Sequence, residues 1–329
     1  MRLRWSGPLG LGVLAMLVGS PASALQLGLG TYEAEVDPAS ASFGTAAVSP
    51  PASSVAYGAF DISVNFTGTP TLNQIAAFQA AETFWESVIL GYKDPGLATA
   101  MAGVNGGSVL IDAYFGAIDG PSGILAQAGP TQILATGGYT GVAPSTSNVI
   151  VATNGVMNFD TADIDALEIG GSLEAVIVHE MAHVLGFLPF FWDFVAATDG
   201  SGTDLTYTGV NGLTAYQNEF DPLATFVPIE DEGEDGTAYA HWDEQLFANY
   251  DPLAPVAGST GNPELMTGYL NTPLYVSMTT IASFEDLGYA TIWSNPPIGA
   301  VPLPLPGMML AAGVVALAAR GRSRPRPAG

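Results

Sequence analysis

An α+β fold, strands together with two helices, is predicted by three features of the sequence. Phe60, Ile62, Val64 and Phe66 alternate with Asp61, Ser63 and Asn65, the period-two pattern of a half-buried strand. Thr71 and Gln74 then stand at the spacing of a capping box, ahead of a run with helical periodicity. After several further strand-like segments, Leu173 to Leu185 reads as a second, strongly apolar helix.

The elements follow in order. Residues 25 to 56 are rich in Ala, Ser and Pro and are expected to form an exposed lead-in or short pro-segment. After the strand at 60 to 66, the first helix should present Ile75, Phe78, Trp85 and Val88 on one side and stop near Gly91. Val109 to Tyr114, Ile124 to Ala128 and Asn148 to Ala152 read as strands. Pro130 favours an edge position for Gly123 to Pro130, which can be read as a strand that accepts an extended peptide or as an ordinary edge hairpin. In the second helix Ser172 is the expected N-cap, Glu174 suits the first turn, and Val176, Ile177, Val184 and Leu185 supply the apolar surface. With no internal repeat, and about 270 residues between the two termini, a single catalytic-size domain over residues 57 to 295 is expected.

That second helix carries His179-Glu180-Met181-Ala182-His183. Two imidazoles four residues apart share a helix face and can hold one zinc ion, while Glu180 sits beside them, placed to take a proton from a bound water without being a ligand. Histidines and a glutamate are costly to bury in so apolar a segment without a partner, and a metal is a fitting one. The chain has three histidines in all, so His241 is the remaining imidazole available to the same site.

Gly186 follows the second histidine by three residues, where the chain must turn out of the helix. Metzincin proteases have such a glycine and usually a third histidine three residues later; here that position is Pro189. A delayed third histidine followed by a methionine turn resembles the leishmanolysin-like branch of the metzincins. The segments that carry the resemblance are 179–187, His241-Trp242, Glu264-Leu265-Met266-Thr267-Gly268 and 278–289. The resemblance implies a zincin-type fold, a twisted mixed sheet with backing and active-site helices and an irregular C-terminal lobe, with one catalytic Zn2+ held by His179, His183 and His241, Glu180 as general base, and Met266 beneath the metal. It also implies a protein or peptide substrate bound along an edge strand. Tyr269 stands three residues past Met266 as a possible oxyanion helper or a packed tyrosine, and Phe187, Phe190, Phe191, Trp192 and Phe194 can be read as a side-chain pocket or as core. The chain departs from leishmanolysin in having no cysteine, which excludes a cysteine switch.

Both ends look like export signals. Arg2 and Arg4 precede the apolar run Leu9 to Val18, and Ala22-Ser23-Ala24 supplies the small residues of a signal-peptidase site, so residues 1 to 24 read as a signal peptide. Residues 296 to 329 contain Val301-Pro302-Leu303-Pro304, the apolar stretch Met308 to Ala319 and four arginines between Arg320 and Arg326. This order is similar to the PEP-CTERM sorting signals of Gram-negative bacteria, which an exosortase-type enzyme removes after transient membrane insertion. A plain transmembrane helix is the other reading of a segment of this length. The implied location is secreted or cell-surface.

Of the seven basic residues, Lys93 alone lies between the two terminal segments, against 31 acidic residues, a formal balance of −30. Nucleic acid and anionic membrane are poor partners for such a surface. High salt or bound Ca2+ would relieve the repulsion, although the densest acidic run, residues 230 to 236, lacks the spacing of an EF-hand loop and reads as a solvated loop. Three function classes fit the sequence: a zinc endopeptidase, a surface, matrix or adhesion protein that retains the same fold, and a zinc hydrolase of a non-protein substrate. Retention of Glu180 favours an enzyme, since a purely structural site needs no base.

The terminal segments make a direct prediction. Protein recovered outside its native cells should start near Leu25 and lack residues from Met308 onward, as read by intact mass. A mass that still includes Arg320 to Arg326 would rule out processing, and a permanent anchor predicts a full-length protein that fractionates with membranes.

Overall fold

The computed structural model describes residues 58–121, 123–134, 150–187, 206–230, 238–243, 264–268 and 276–294, with the backbone alone of 22–26, 32–35, 135–136, 196–198 and 205. The segment before residue 22 that reads as an export signal, the C-terminal tail, Phe190 to Phe194, Tyr269 and the acidic run from Asp231 lie outside these residues. Among the described residues, no helix is long and apolar enough to cross a membrane.

The fold is α+β, as predicted. Strand β3 (Ile62–Thr67) leads into helix α1 (Leu72–Val88); β1 (Ala22–Gln26) and β2 (Tyr32–Glu35) precede them. Then follow β4 (Ile89–Tyr92), α2 (Pro95–Ala102), β5 (Val109–Gly116), β6 (Ile124–Thr136) and β7 (Ile150–Asp160). Helices α3 (Ile164–Gly170) and α4 (Leu173–Leu185) are succeeded by β8 (Ala196–Thr198), β9 (Leu205–Tyr207), α5 (Val210–Glu219), β10 (Val227–Pro228), α6 (Met278–Leu287) and β11 (Tyr289–Thr291).

The main sheet runs β1-β6-β7-β5-β3. Strands β3, β5 and β7 are parallel, and β6 joins β7 antiparallel, so the sheet is mixed. Its helical layer is built on α1 and α4, which meet where the buried Trp85 indole donates to the Val178 carbonyl at 3.0 Å. Helix α4 also lies close on the sheet. A Cβ built on Gly155 of β7 would meet Val184 Cγ1 at 2.2 Å, so even alanine there would push the helix off the strand. An aromatic seam of Phe66, Phe78, Phe115 and Phe159 fills the space between α1 and the sheet.

Several local expectations hold, and others are corrected by non-local pairing. The capping box is present: the Thr71 hydroxyl accepts from Gln74 N at 3.1 Å and the Gln74 side chain accepts from Thr71 N at 2.9 Å. Helix α1 buries Gln74, Phe78, Ala81, Trp85 and Val88, with Ile75 only half-buried. It ends at Val88 and not near Gly91, because Ile89–Tyr92 pairs with β11 from the other end of the chain. The strand expected at Asn148 to Ala152 extends to Asp160, since its later residues pair with β5 and β6. Ser172 occupies the N-cap position of α4 but does not cap it; its hydroxyl donates to Leu167 O at 3.4 Å, because α3 abuts α4 and Ser172 keeps helical backbone angles.

The edge assignment of Gly123 to Pro130 is also corrected. Strand β6 runs on to Thr136, Pro130 sits where the register with β7 shifts, and the outer side of β6 is taken by β1 and β2. An open strand edge is a template for any extended segment, and here the residues preceding the domain fill it.

Across the molecule, the C-terminal segment returns to the first helical layer. Tyr289 on β11 accepts from Ala152 N at 3.1 Å and donates to Leu185 O at 3.0 Å, linking β7, the end of α4 and the last strand. Glu285 on α6 accepts from Thr291 and Ser294 and pairs with Lys93 at 3.3 Å.

Glu82 on α1 is pushed up to about 7, by burial first and by neighbouring Glu86 second. A folded-state value above the ordinary one means that ionisation disfavours the folded form, a penalty absent below the unfolded value near 4.5 and complete above about 7. Glu82→Gln should therefore raise the urea midpoint at about pH 8 and leave it unchanged at about pH 4. Equal midpoint changes at both pH values would assign the effect to packing.

Candidate metal centre

All three histidines converge. His179 and His183 project from adjacent turns of α4, and His241 comes from the short segment Tyr239 to Asp243. Their Nε2 atoms form a triangle with sides of 3.0 Å (His179 to His183), 3.1 Å (His179 to His241) and 3.2 Å (His183 to His241). All three rings are buried.

The tautomers follow from the other ring nitrogens. His179 Nδ1 lies 2.7 Å from Leu265 O, and His183 Nδ1 lies 2.5 Å from Phe187 O. A carbonyl can only accept, so both Nδ1 atoms carry the proton and both Nε2 atoms present lone pairs. Burial reinforces this. It pulls His179 down to about 4 against the opposing Leu265 hydrogen bond, and it pulls His183 well below its ordinary value, with His179 and His241 adding to the effect. Neutral imidazoles facing one another at this distance repel unless a cation sits among them. Three nitrogens about 2.0–2.1 Å from a common tetrahedral ion would be spaced by about 3.3 Å, close to the observed triangle. The donor set therefore fits a divalent metal of zinc's preference.

Each support has a local cause. Gly186 ends α4 with φ of 117°, a left-handed conformation that a side chain would strain, and the chain turns back so that Phe187 N donates to Ala182 O at 2.9 Å. The same turn aims the Phe187 carbonyl at His183. His241 is fixed from both sides: its carbonyl accepts from Glu230 N at 2.9 Å, and the next residue, Trp242, donates its N–H to Met266 O at 2.8 Å. The Trp242 ring is buried edge-on against Phe187 and Tyr207, and its indole N–H donates to Thr280 Oγ1 at 2.9 Å.

Glu180 is fully buried one residue from His179, and among the described residues neither of its oxygens has a hydrogen-bond partner. Burial holds its carboxyl well above the ordinary range. An orphaned carboxylate beside three lone-pair donors is costly on its own and is relieved by a cation and its water.

The family comparison bears on this chemistry directly. The family model described as leishmanolysin, peptidase M8, matches residues 130–295, half of the chain and every residue of the centre. The chain belongs to the leishmanolysin family. No curated protein and no solved structure matches it. As a leishmanolysin-family protein it is a metallopeptidase, and the three histidines are a group able to hold its metal.

Sequence reasoning had located all of the ligand candidates, Glu180 and Met266. Met266 is fully buried, and its turn reaches the centre through the preceding residue, since Leu265 provides the carbonyl that orients His179. The carbonyls of Leu265 and Phe187, the Trp242 anchor and the buried Glu264 carry no periodicity or motif signal of their own; only the quoted leishmanolysin-like segments point to that part of the chain. Of the aromatic group, Phe187 packs in the core against Trp242 and Phe284.

His241→Ala removes one of three donors. Elemental analysis should give about one metal ion per wild-type chain and a loss of most of it in the variant. Unchanged metal content would take His241 out of the centre.

Proposed function

We propose that this protein is an exported zinc endopeptidase in which His179, His183 and His241 bind zinc and Glu180 is the general base. The observation that carries the proposal is the convergence of three buried imidazoles, two of them on α4, with a buried carboxylate on that helix that has no hydrogen-bond partner among the described residues. Three protein ligands leave a fourth tetrahedral position for water and substrate, the pattern of a catalytic site, whereas a structural site is closed by a fourth protein ligand. Placement in the metzincin clan rests on the Gly186 turn and the Met266 turn flanking the centre.

Bound at the imidazoles, zinc would lower the pKa of a water and polarise the scissile carbonyl. The chain's residues do the rest. Leu265 O and Phe187 O hold the two Nδ1–H groups, which fixes the tautomer and orientation of His179 and His183, while burial keeps both rings neutral. The apolar wall of α4 excludes bulk water, which strengthens every charge interaction inside the site. Glu180 accepts a proton from the attacking water at a carboxylate oxygen as the new C–O bond forms. It then returns that proton to the amine nitrogen as the peptide C–N bond breaks.

The substrate is a protein or peptide. Export through the N-terminal segment, followed by release from a transiently inserted C-terminal tail by an exosortase-type enzyme, would place the product outside a Gram-negative cell or on its surface.

Glu180→Ala separates binding from chemistry. It should keep the metal and the fold yet lower casein hydrolysis by about a thousandfold or more, because the base and the water's hydrogen-bond acceptor are lost together. Near-normal cleavage by that variant would end the mechanism.

A further inference from the structure

We propose that Glu264 is a positioning residue of the zinc site, fixing the backbone that orients His179 and anchors His241 while touching neither. The inference rests on the peptidase reading above. Glu264 is fully buried, and its carboxylate accepts from Met266 N at 2.6 Å on one oxygen and from Ser277 N at 3.1 Å, Ser277 Oγ at 2.8 Å and Thr280 Oγ1 at 2.6 Å on the other. These bonds clamp the turn at Leu265 and Met266 onto the N-terminus of α6, where Ser277 is also the cap that accepts from Thr280 N at 3.0 Å.

Both arms of the clamp end at a histidine. Leu265, between Glu264 and its donor Met266, supplies the carbonyl to His179 Nδ1. Met266 O accepts from Trp242 N, next to His241. The Trp242 indole adds a second route, because an indole N–H can only donate; Thr280 Oγ1 must accept from it and pass its own proton toward Glu264. A relay from Trp242 through Thr280 to the carboxylate thus has one possible direction. Burial works against a charged carboxyl here and pushes Glu264 up to about 6, with the Thr280, Met266 and Ser277 donors opposing it.

A glutamine cannot replace it. Met266 N on one oxygen and Ser277 N on the other can only donate, so an amide NH2 placed on either side faces an N–H group. Glu264→Gln should weaken zinc binding by about ten- to a hundredfold in chelator competition. It should also release His179 from the Nδ1–H tautomer in the metal-free protein, read by long-range 15N–1H correlation. Glu285→Gln is the control for losing a buried carboxylate alone. Its partners Lys93, Thr291 and Ser294 hold β4 and the end of α6, so zinc affinity and the His179 tautomer should stay as in wild type.

Zinc affinity for Glu264→Gln within twofold of wild type would overturn the proposal, as would a wild-type His179 protonated at Nε2 in the metal-free protein. If Glu264→Gln does not fold, Thr280→Val removes one donor and the indole's acceptor; its zinc affinity should fall about threefold, and an unchanged value there is equally fatal. A wild-type chain that binds no zinc would instead sink the peptidase reading, while the His179 tautomer still reports on the clamp.

Discussion

Three imidazole lone pairs directed at one another inside a buried space are the constraint on which the rest of this structure depends. Neutral Nε2 atoms 3.0 to 3.2 Å apart are tolerable only around a cation; burial keeps the two α4 histidines neutral, and a backbone carbonyl on each Nδ1 proton fixes which nitrogen faces the centre. That requirement reaches outward in two directions. The Phe187 carbonyl is in place because Gly186 adopts a positive φ, and the Leu265 carbonyl is in place because the turn around Met266 is pinned to α6.

Charge composition shapes how this pinning is done. Between the terminal segments there is one basic residue, Lys93, and it is spent on Glu285. Three further carboxylates in or near the interior are held by N–H and hydroxyl donors. Asp160 accepts from the N–H groups of Ala162, Gly120, Asp119 and Ile118 and is held down to about 2 by them. Asp286 binds Tyr207, Asn211 and Gly212, and Glu264 binds the Met266, Ser277 and Thr280 donors. Hydrogen bonds to backbone N–H groups fix geometry more narrowly than contacts with long lysine or arginine side chains, which suits carboxylates that hold loops and helix ends. Glu180 stands apart from this group. It is fully buried and has no hydrogen-bond donor among the described residues.

Much of the site was legible in the sequence, because the chemistry it requires is local. Two histidines and a glutamate in five residues can share a helix face only one way, and the apolar run around them announces a buried helix. With three histidines in the chain, the third ligand candidate was fixed by scarcity. The strand at 60 to 66 and the capping box at Thr71 were equally readable, since period and cap chemistry are properties of neighbouring residues.

What the sequence alone determined, then, was the α+β class and the three histidines that the fold brings together beside Glu180. The tertiary structure decided everything that depends on partners far apart in the chain. Strand β4 exists because β11 returns to pair with it, and the outer side of β6 is covered because an earlier segment lies along it. Leu265 became the His179 acceptor, and Glu264 became a buried clamp, because α6 packs where its Ser277 and Thr280 donors converge on one carboxylate. A backbone carbonyl leaves no mark on residue identity, and one glutamate among 31 acidic residues looks like surface until folding removes it from water.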